Sequence, residues 1–244
     1  MEKYNNSLIY QYIEKAGCTS NKEYEMSESL KLGDLINNIN PYYLFTNDNK
    51  YIGVIVKELL CNYMDSIKKK TLHDWLKGLA IFINEKVYNG KKSLVPCIDL
   101  EFDKENIRYI VSIKSGPNWG NASQIDKLIT TFNTAKKTLR TSNSKLQIIC
   151  VNGCCYGKDN NPDKGSYLKY CGQRFWEFIG GEENIYTDII EPLGYKAKER
   201  NENYLEKYSG MINRLTNEFF VTFCDKNGMI DWEKLVKFNS GYNF

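Results

Sequence analysis

The chain has 244 residues, of which 42% are hydrophobic and 26% charged, and its formal net charge is +3. This length permits one substantial core, and the small net charge permits a nucleic-acid partner without requiring one. No apolar run approaches the roughly 20 residues that cross a bilayer, and the N-terminus has no basic segment followed by an apolar one. We therefore expect a cytoplasmic protein with no membrane partner, whose eight cysteines are reduced thiols.

Helical patterns dominate the N-terminal part of the chain. Short helical pieces and polar turns precede Tyr51. Over residues 51–69 hydrophobic side chains recur every four positions, which predicts an amphipathic helix. A second helix is predicted from Leu72 to Val87, and it ends near Gly90.

The middle of the chain contains three predicted strands. Residues 93–102 (SLVPCIDLEF) and 107–114 (IRYIVSIK) are short, rich in β-branched and aromatic residues, and separated by a polar turn. A helix over residues 125–139 and a buried strand over residues 145–151 follow. The order helix, strand, strand, helix, strand predicts an α/β (α+β) protein with a central mixed β-sheet flanked by helices.

Additional helices are predicted after the sheet. Residues 167–179 and 204–223 have helical spacing and are rich in Phe, Tyr and Trp, and a short helix capped near Asp231 follows them. No linker and no internal repeat divides the sequence, so we expect a single domain over residues 1–244.

The first two strands are expected to pair as a hairpin that places polar side chains together. If Glu105 and Asn106 form a two-residue turn, opposing residue numbers sum to 211, and Asp99 lies opposite Ser112. Because side chains alternate along a strand, one face carries Asp99, Glu101, Ser112 and Lys114. The opposite face then carries Ile98, Leu100, Phe102, Val111 and Ile113. An odd loop without a compensating bulge would destroy this arrangement.

Two carboxylates and an ammonium on one small surface suit a specific chemistry. Oxygen ligands from Asp99 and Glu101 favour a hard divalent cation such as Mg²⁺, which retains several waters. Lys114 beside them is suited to orienting a water and to stabilising charge on a phosphoryl oxygen. The alternative is a cross-strand salt bridge on a solvated sheet face, with Glu101 as an ordinary polar residue of the edge.

The same residues resemble the motif of the PD-(D/E)XK nuclease superfamily, and within it type II restriction endonucleases. Pro96 and Asp99 resemble the PD half, and Ser112-Ile113-Lys114 resembles the (D/E)XK half, with serine where an acid is usual. The combination of IDLEF with IKSGPNWGNASQ also resembles a stretch of such restriction enzymes. This combination is much more specific than the short motif alone.

The serine leaves the source of the second metal-binding carboxylate open. Glu101 is the first candidate because strand alternation places it on the face of Asp99. Asp126 is the second, since some relatives with Ser-X-Lys recruit an acid from the following helix. Glu58 and Glu85, on the preceding helices, come third, because the family often places an acid on its first core helix.

The resemblance covers residues 71–151 and implies a catalytic core there, with helical additions over residues 1–70 and 165–244. It implies Mg²⁺-dependent, sequence-specific hydrolysis of phosphodiester bonds in double-stranded DNA by an enzyme of a restriction–modification system. The implied metal ligands are Asp99, Glu101 and the backbone carbonyl of Ile113, and Lys114 acts on the attacking water.

Restriction sites are usually palindromes, which a two-fold symmetric homodimer matches. Two alternatives remain: a non-specific or structure-specific DNA repair nuclease of the same fold, and a catalytically inactive DNA-binding module, which the missing acid at Ser112 favours.

The loop after Lys114 supplies candidate DNA contacts, which are Asn118, Trp119, Asn121 and Ser123. An exposed Trp119 would suit base stacking or a grip on the DNA backbone, whereas the alternative is a ring folded back onto the core. Gln124 is a supporting candidate, together with Ser112 and Asp126. Asn121 and Gln124 also match a capping-box pattern at a helix start.

Other chemistries are disfavoured by the sequence. His73 is the single histidine, which weakens catalytic triads and His-ligated zinc. No GxxxxGK[ST] pattern is present, so no nucleotide cofactor is expected. The spacing of Cys150, Cys154, Cys155 and Cys171 differs from paired zinc motifs, so small buried residues are favoured over a zinc site.

Overall fold

The computed structural model describes residues 3–16, 29–46, 51–142, 147–194 and 197–242, and the side chains at 141–142 and 197–204 are not described. The helices are α1 Ser7–Ala16, α2 Leu32–Ile36, α3 Pro41–Thr46, α4 Ile52–Tyr88, α5 Ala122–Ser142, α6 Gln173–Gly180, α7 Ile185–Asp188, α8 Ile190–Gly194, α9 Ala197–Phe223 and α10 Trp232–Ser240. The strands are β1 Lys91–Lys92, β2 Leu100–Lys104, β3 Ile107–Lys114, β4 Gln147–Cys154 and β5 Leu168–Cys171.

The strands form one five-stranded mixed sheet in the order β1-β2-β3-β4-β5. Strands β1, β2 and β3 pair antiparallel, whereas β3, β4 and β5 pair parallel. Helix α5 makes the crossover between the parallel strands β3 and β4, as parallel pairing requires. The predicted α/β architecture with a mixed sheet and flanking helices is therefore confirmed.

The predicted hairpin register is also confirmed within β2 and β3. Leu100 lies opposite Val111 and Lys104 lies opposite Ile107, so the numbers sum to 211 throughout. The turn residues Glu105 and Asn106 have φ angles of 55° and 62°. Positive φ at both central residues is the requirement of a type I′ turn, whose twist matches that of the flanking strands.

One residue of the predicted apolar face was assigned wrongly. Leu100, Phe102, Val111 and Ile113 pack together with helix α4 as predicted, but Ile98 packs on the other side of the sheet with Ile110 and helix α5. The register changes at Asp99, whose N–H donates to the carbonyl of Val111 at 2.8 Å. A shift of one residue turns the preceding side chain to the opposite face.

Helix α4 is one continuous helix of 37 residues, whereas the sequence pattern predicted two. The segment KKKTLHD at residues 68–74 contains neither Gly nor Pro, so nothing in it stops a helix. The pattern changes there because the two parts of the helix contribute to different cores. Residues from Ile55 to Ile67 belong to one core cluster, and residues from Trp75 to Val87 belong to another.

The chain divides into two compact units at the same point. One unit comprises residues 1–18 and 72–195 and contains the sheet, and the other comprises residues 19–71 and 196–244. The second unit is helical, and its core includes Leu60, Phe219 and Leu235. Within it the predicted cap of helix α10 is confirmed, because the Asp231 carboxylate accepts a hydrogen bond from the Lys234 N–H at 2.9 Å.

The helix predicted over residues 167–179 is in fact a strand followed by a shorter helix. Leu168–Cys171 pairs with β4, and α6 begins at Gln173. Gly172 separates the two elements with a φ of 55°, and a Cβ there would lie 2.6 Å from the carbonyl oxygen of Gly157. Only glycine fits this position, and its backbone angle ends the strand.

The strand predicted over residues 93–102 begins later than expected, at Leu100, and the edge strand β1 was not predicted. Among the described residues, no helix is long and apolar enough to span a membrane.

Candidate active site

Asp99 and Lys114 lie near the end of the hairpin where β3 finishes, because Asp99 contacts Ile113 and Lys114 is the last residue of that strand. A cleft of about 430 Å³ opens beside Lys114, and neither Asp99 nor Glu101 lines it. Its lining comes from helix α4, the segment before β2, the end of β3 with the loop after it, and helix α5, and includes His73, Cys97, Trp119 and Gln124. All of the residues that line the cleft belong to the sheet-containing unit.

Asp99 is fixed by the backbone of the neighbouring strand. Its Oδ2 accepts a hydrogen bond from the Ile113 N–H at 2.7 Å. Its Oδ1 lies 3.3 Å from the Nζ of Lys77, which comes from helix α4. The side chains of Asp99 and Lys77 are 20% and 29% exposed, so this ion pair is largely shielded from solvent.

The backbone of Ile113 turns its polar groups toward Asp99. The Lys114 carbonyl points the other way, because it accepts a hydrogen bond from the Cys155 N–H. The N–H and C=O of one strand residue point to the same side and alternate with those of the next residue. The Ile113 carbonyl is therefore directed to the side of β3 where Asp99 lies and where β2 has not yet begun.

Lys114 is held by a chain of contacts that begins in the core. Its Nζ lies 4.8 Å from the centre of the Trp119 ring. The Trp119 Nε1–H donates to the Asn152 Oδ1 at 2.9 Å, and the Asn152 Nδ2 donates to the Ser112 carbonyl at 3.2 Å. Trp119 is thus half-buried and packed on the core, which is the second of the two arrangements that the sequence left open.

The loop that carries Trp119 is packed on its other side as well. The Lys169 Nζ donates to the Pro117 carbonyl at 2.9 Å and lies 3.3 Å from Asp159. Burial raises the pKa of Asp159, but hydrogen bonds from Lys164, Lys169 and the backbone outweigh it, so the net pKa lies below its usual value. This loop is therefore anchored to strand β5 through Lys169.

His73 lies among the charges of the site. Burial lowers its pKa first, the nearby Lys77 and Lys114 lower it further, and Asp74 and Asp99 oppose them. Asp99 and Lys114 therefore both act on this one imidazole, whose pKa burial lowers from its usual value. Its Nδ1 is buried and has no hydrogen-bond partner among the described residues.

Glu101 is held differently from Asp99. It lies opposite Ile110, and its Oε1 accepts a hydrogen bond from the Ser93 hydroxyl at 2.5 Å. The hydrogen bond that Arg108 donates to Asp103 is the largest cause of the raised pKa of Arg108, and the charge of Glu101 raises it further. For Glu101 to join a cation on Asp99, its carboxylate must first leave Ser93.

Of the other named candidates, Gln124 also lines the cleft. Ser112 is fully buried, and its hydroxyl has no partner among the described residues. The predicted capping box is confirmed, because Asn121 and Gln124 exchange two backbone-to-side-chain hydrogen bonds of 3.0 Å. The exposed candidates are Asn118, Ser123, Asp126 and Glu85.

The donor set around Asp99 fits a divalent cation with few protein ligands. Among the described residues, no group of three or more His, Cys, Asp or Glu side chains is arranged to hold a metal ion. Mg²⁺ is usually bound by one or two carboxylates and keeps several waters. Asp99 Oδ1 already forms an ion pair with the Lys77 ammonium, so this oxygen is placed to contact a cation. The Ile113 carbonyl provides a second oxygen on the same side of strand β3.

The cysteine cluster does not form a single site. Cys150, Cys154, Cys155 and Cys171 are free and buried. Cys150 belongs to the core on the α5 side of the sheet, whereas Cys155 belongs to the core on the α4 side. Burial raises the pKa of each of these thiols. Because the thiolate is the reactive form of cysteine, these four side chains act as unreactive residues of the core.

Sequence reasoning missed three residues that shape this site, namely Lys77, Asn152 and Lys169. Lys77 follows His73 by four positions on one helix, so both lie on the same helical face. That spacing indicates a shared polar face, although it does not indicate that Lys77 contacts Asp99. Asn152 and Lys169 carry no comparable signal, since their partners lie 33 and 52 residues away.

A mixed sheet flanked by helices, with an aspartate and a lysine at the open end of its hairpin, is the arrangement of the restriction-endonuclease-like fold. A family model described as type II restriction endonuclease EcoO109I matches residues 8–201. That match covers more than half of the sequence, and the chain belongs to this family of type II restriction endonucleases. No curated protein is detectably similar to the chain.

Proposed function

We propose that this protein is a Mg²⁺-dependent, site-specific deoxyribonuclease of a restriction–modification system, and that it hydrolyses phosphodiester bonds in double-stranded DNA. One observation carries the proposal within the family. A carboxylate anchored on the Ile113 amide and the ammonium of the next residue, Lys114, lie at the same end of one strand. We expect the protein to use no nucleotide cofactor and to have no membrane partner.

Asp99 and the Ile113 carbonyl would hold the cation, with Glu101 as the third ligand after it leaves Ser93. When bound, Mg²⁺ polarises a phosphoryl oxygen and lowers the pKa of a coordinated water. Lys114 orients the attacking water and stabilises the negative charge that develops on the phosphoryl group. The ring of Trp119 supports this ammonium on one side, which limits the positions it can take.

The DNA contacts are proposed around the same cleft. Asn118, Asn121 and Ser123 are exposed in the loop after β3 and at the start of α5. Polar side chains and backbone amides at such a helix start suit DNA phosphates. Trp119 would contribute the exposed part of its ring. We propose a single nuclease domain built from both compact units, and a homodimer that matches a palindromic site.

A catalytically inactive DNA-binding module is the second candidate, and Ser112 favours it. This serine replaces the acid of the family motif and is buried without a partner among the described residues. A relic would retain the fold and the DNA surface while lacking a second metal-binding carboxylate.

A plasmid digest with purified protein and Mg²⁺ distinguishes these functions. Discrete fragments with one common end sequence support the proposal. A smear indicates a non-specific nuclease, and intact plasmid with retained DNA binding indicates the inactive module. The matched variants are Lys114→Ala, which is expected to abolish cutting, and Lys226→Ala, which removes an exposed lysine of the other compact unit and is expected to cut normally.

A further inference from the structure

Charged side chains of both signs lie around His73, and Asp99 is one of them. Besides burial, Lys77 and Lys114 lower the pKa of His73, whereas Asp74 and Asp99 raise it. Glu101, the other acid of the hairpin, is engaged by Ser93. Asp99 itself has Lys77 as a direct ionic partner, so a cation that binds this carboxylate competes with an ammonium.

The ion pair between Lys77 and Asp99 uses the carboxylate oxygen that a metal would need. The Asp99 Oδ2 is taken by the Ile113 amide, and Lys77 Nζ lies 3.3 Å from the remaining oxygen, Oδ1. An ammonium is a compact point charge with three donors, and its flexible stem allows it to change partners. The two side chains are largely shielded, so few water molecules weaken the pair.

We propose that Lys77 is an internal counter-ion that occupies the cation position on Asp99 in the metal-free protein. A divalent cation displaces the ammonium from Oδ1, and Lys77 then binds an oxygen of the scissile phosphate beside Lys114. This inference rests on the proposed function and adds a second basic residue to its substrate site. Lys77 lies on helix α4, outside the residues that resemble the PD-(D/E)XK motif, so the motif assigns it no role.

Competition between Lys77 and the metal has a consequence that a structural ion pair lacks. Removal of the ammonium frees Oδ1, so the affinity for the cation rises while phosphate binding becomes weaker. A residue that only stabilised the fold would change neither quantity in this way. The opposite signs of the two effects therefore distinguish the two roles.

The test is Mn²⁺ binding to the metal-free protein without DNA, measured by electron paramagnetic resonance of the free ion. Lys77→Gln is expected to bind Mn²⁺ about threefold to fivefold more tightly than the wild type, the range of a partly shielded ion pair. Asp99→Asn is expected to lose binding, and the matched control Lys226→Gln is expected to leave it unchanged. Lys77→Met keeps the apolar stem and is expected to give the same gain if the glutamine variant fails to fold.

Unchanged or weaker Mn²⁺ binding by a folded Lys77 variant overturns the counter-ion proposal alone. Absence of Mn²⁺ binding by the wild type overturns the metal site on Asp99, and the proposed function with it. A second measurement uses single-turnover cutting at saturating Mg²⁺, where Lys77→Gln is expected to be slower and Lys226→Gln unchanged. Faster or equal cutting by the glutamine variant contradicts the phosphate contact.

Discussion

Asn152 offers the sharpest test of how the catalytic lysine is positioned. Its side chain is fully buried, and it joins Trp119 to the backbone of Ser112 through two hydrogen bonds. Asn152→Ala leaves the Ser112 carbonyl without this donor and the Trp119 N–H without this acceptor. A buried polar group left unsatisfied costs about 1–3 kcal/mol, so we expect the free energy of unfolding to fall by about 2–4 kcal/mol.

The same substitution is expected to slow cutting more than it weakens DNA binding, because the ring beneath Lys114 loses its anchor. Trp119→Phe is the matched variant, since it keeps an aromatic ring and removes only the N–H. We expect the free energy of unfolding to fall by about 1 kcal/mol. The ring is also expected to hold Lys114 less firmly, because its hydrogen bond to Asn152 is lost. Urea unfolding and single-turnover cutting measure the two effects. A stability change below about 0.5 kcal/mol in Asn152→Ala, with normal cutting, would refute this reasoning.

Three further predictions concern the surroundings of the site. Lys169→Met is expected to lose about 1–3 kcal/mol in urea unfolding and to cut more slowly, because the Pro117 carbonyl loses its donor; equal stability contradicts the loop anchor. Asp159 has a lowered pKa, so its stabilising contribution is present above the unfolded value of about 3.9 and is lost as the pH falls through the folded value. Asp159→Asn should therefore flatten the decline in stability between pH 5 and pH 3. An unaltered decline would show that the Asp159 carboxylate does not stabilise the folded state. Ser112→Ala should keep or raise stability and keep cutting activity, since its hydroxyl has no partner among the described residues; a large loss of cutting shows that the hydroxyl acts in catalysis.

The parts of the fold that the sequence predicted well are those with local causes. The turn at Glu105 and Asn106 fixes the hairpin register through the backbone angles of two residues. The capping box of Asn121 and Gln124 is likewise a contact over three positions. In both cases the residues that determine the local geometry lie within one short stretch of sequence.

The parts that the sequence did not predict depend on contacts between distant segments. Strict alternation placed Ile98 with Leu100, but the backbone shifts register at Asp99 and turns Ile98 to the other face. The two parts of helix α4 serve different cores, so their patterns resembled two helices. Lys77 meets Asp99 across 22 positions of sequence, and no pattern of spacing within either element reports that contact.

The most direct test of the central claim is the behaviour of Lys114→Ala on a DNA fragment that the wild type cuts. The Asp99–Lys114 site predicts that this variant binds the fragment with nearly unchanged affinity in Ca²⁺ and cuts it at least about a hundredfold more slowly in Mg²⁺. Cutting by Lys114→Ala at the wild-type rate would contradict the account, because the ammonium would then have no part in the reaction.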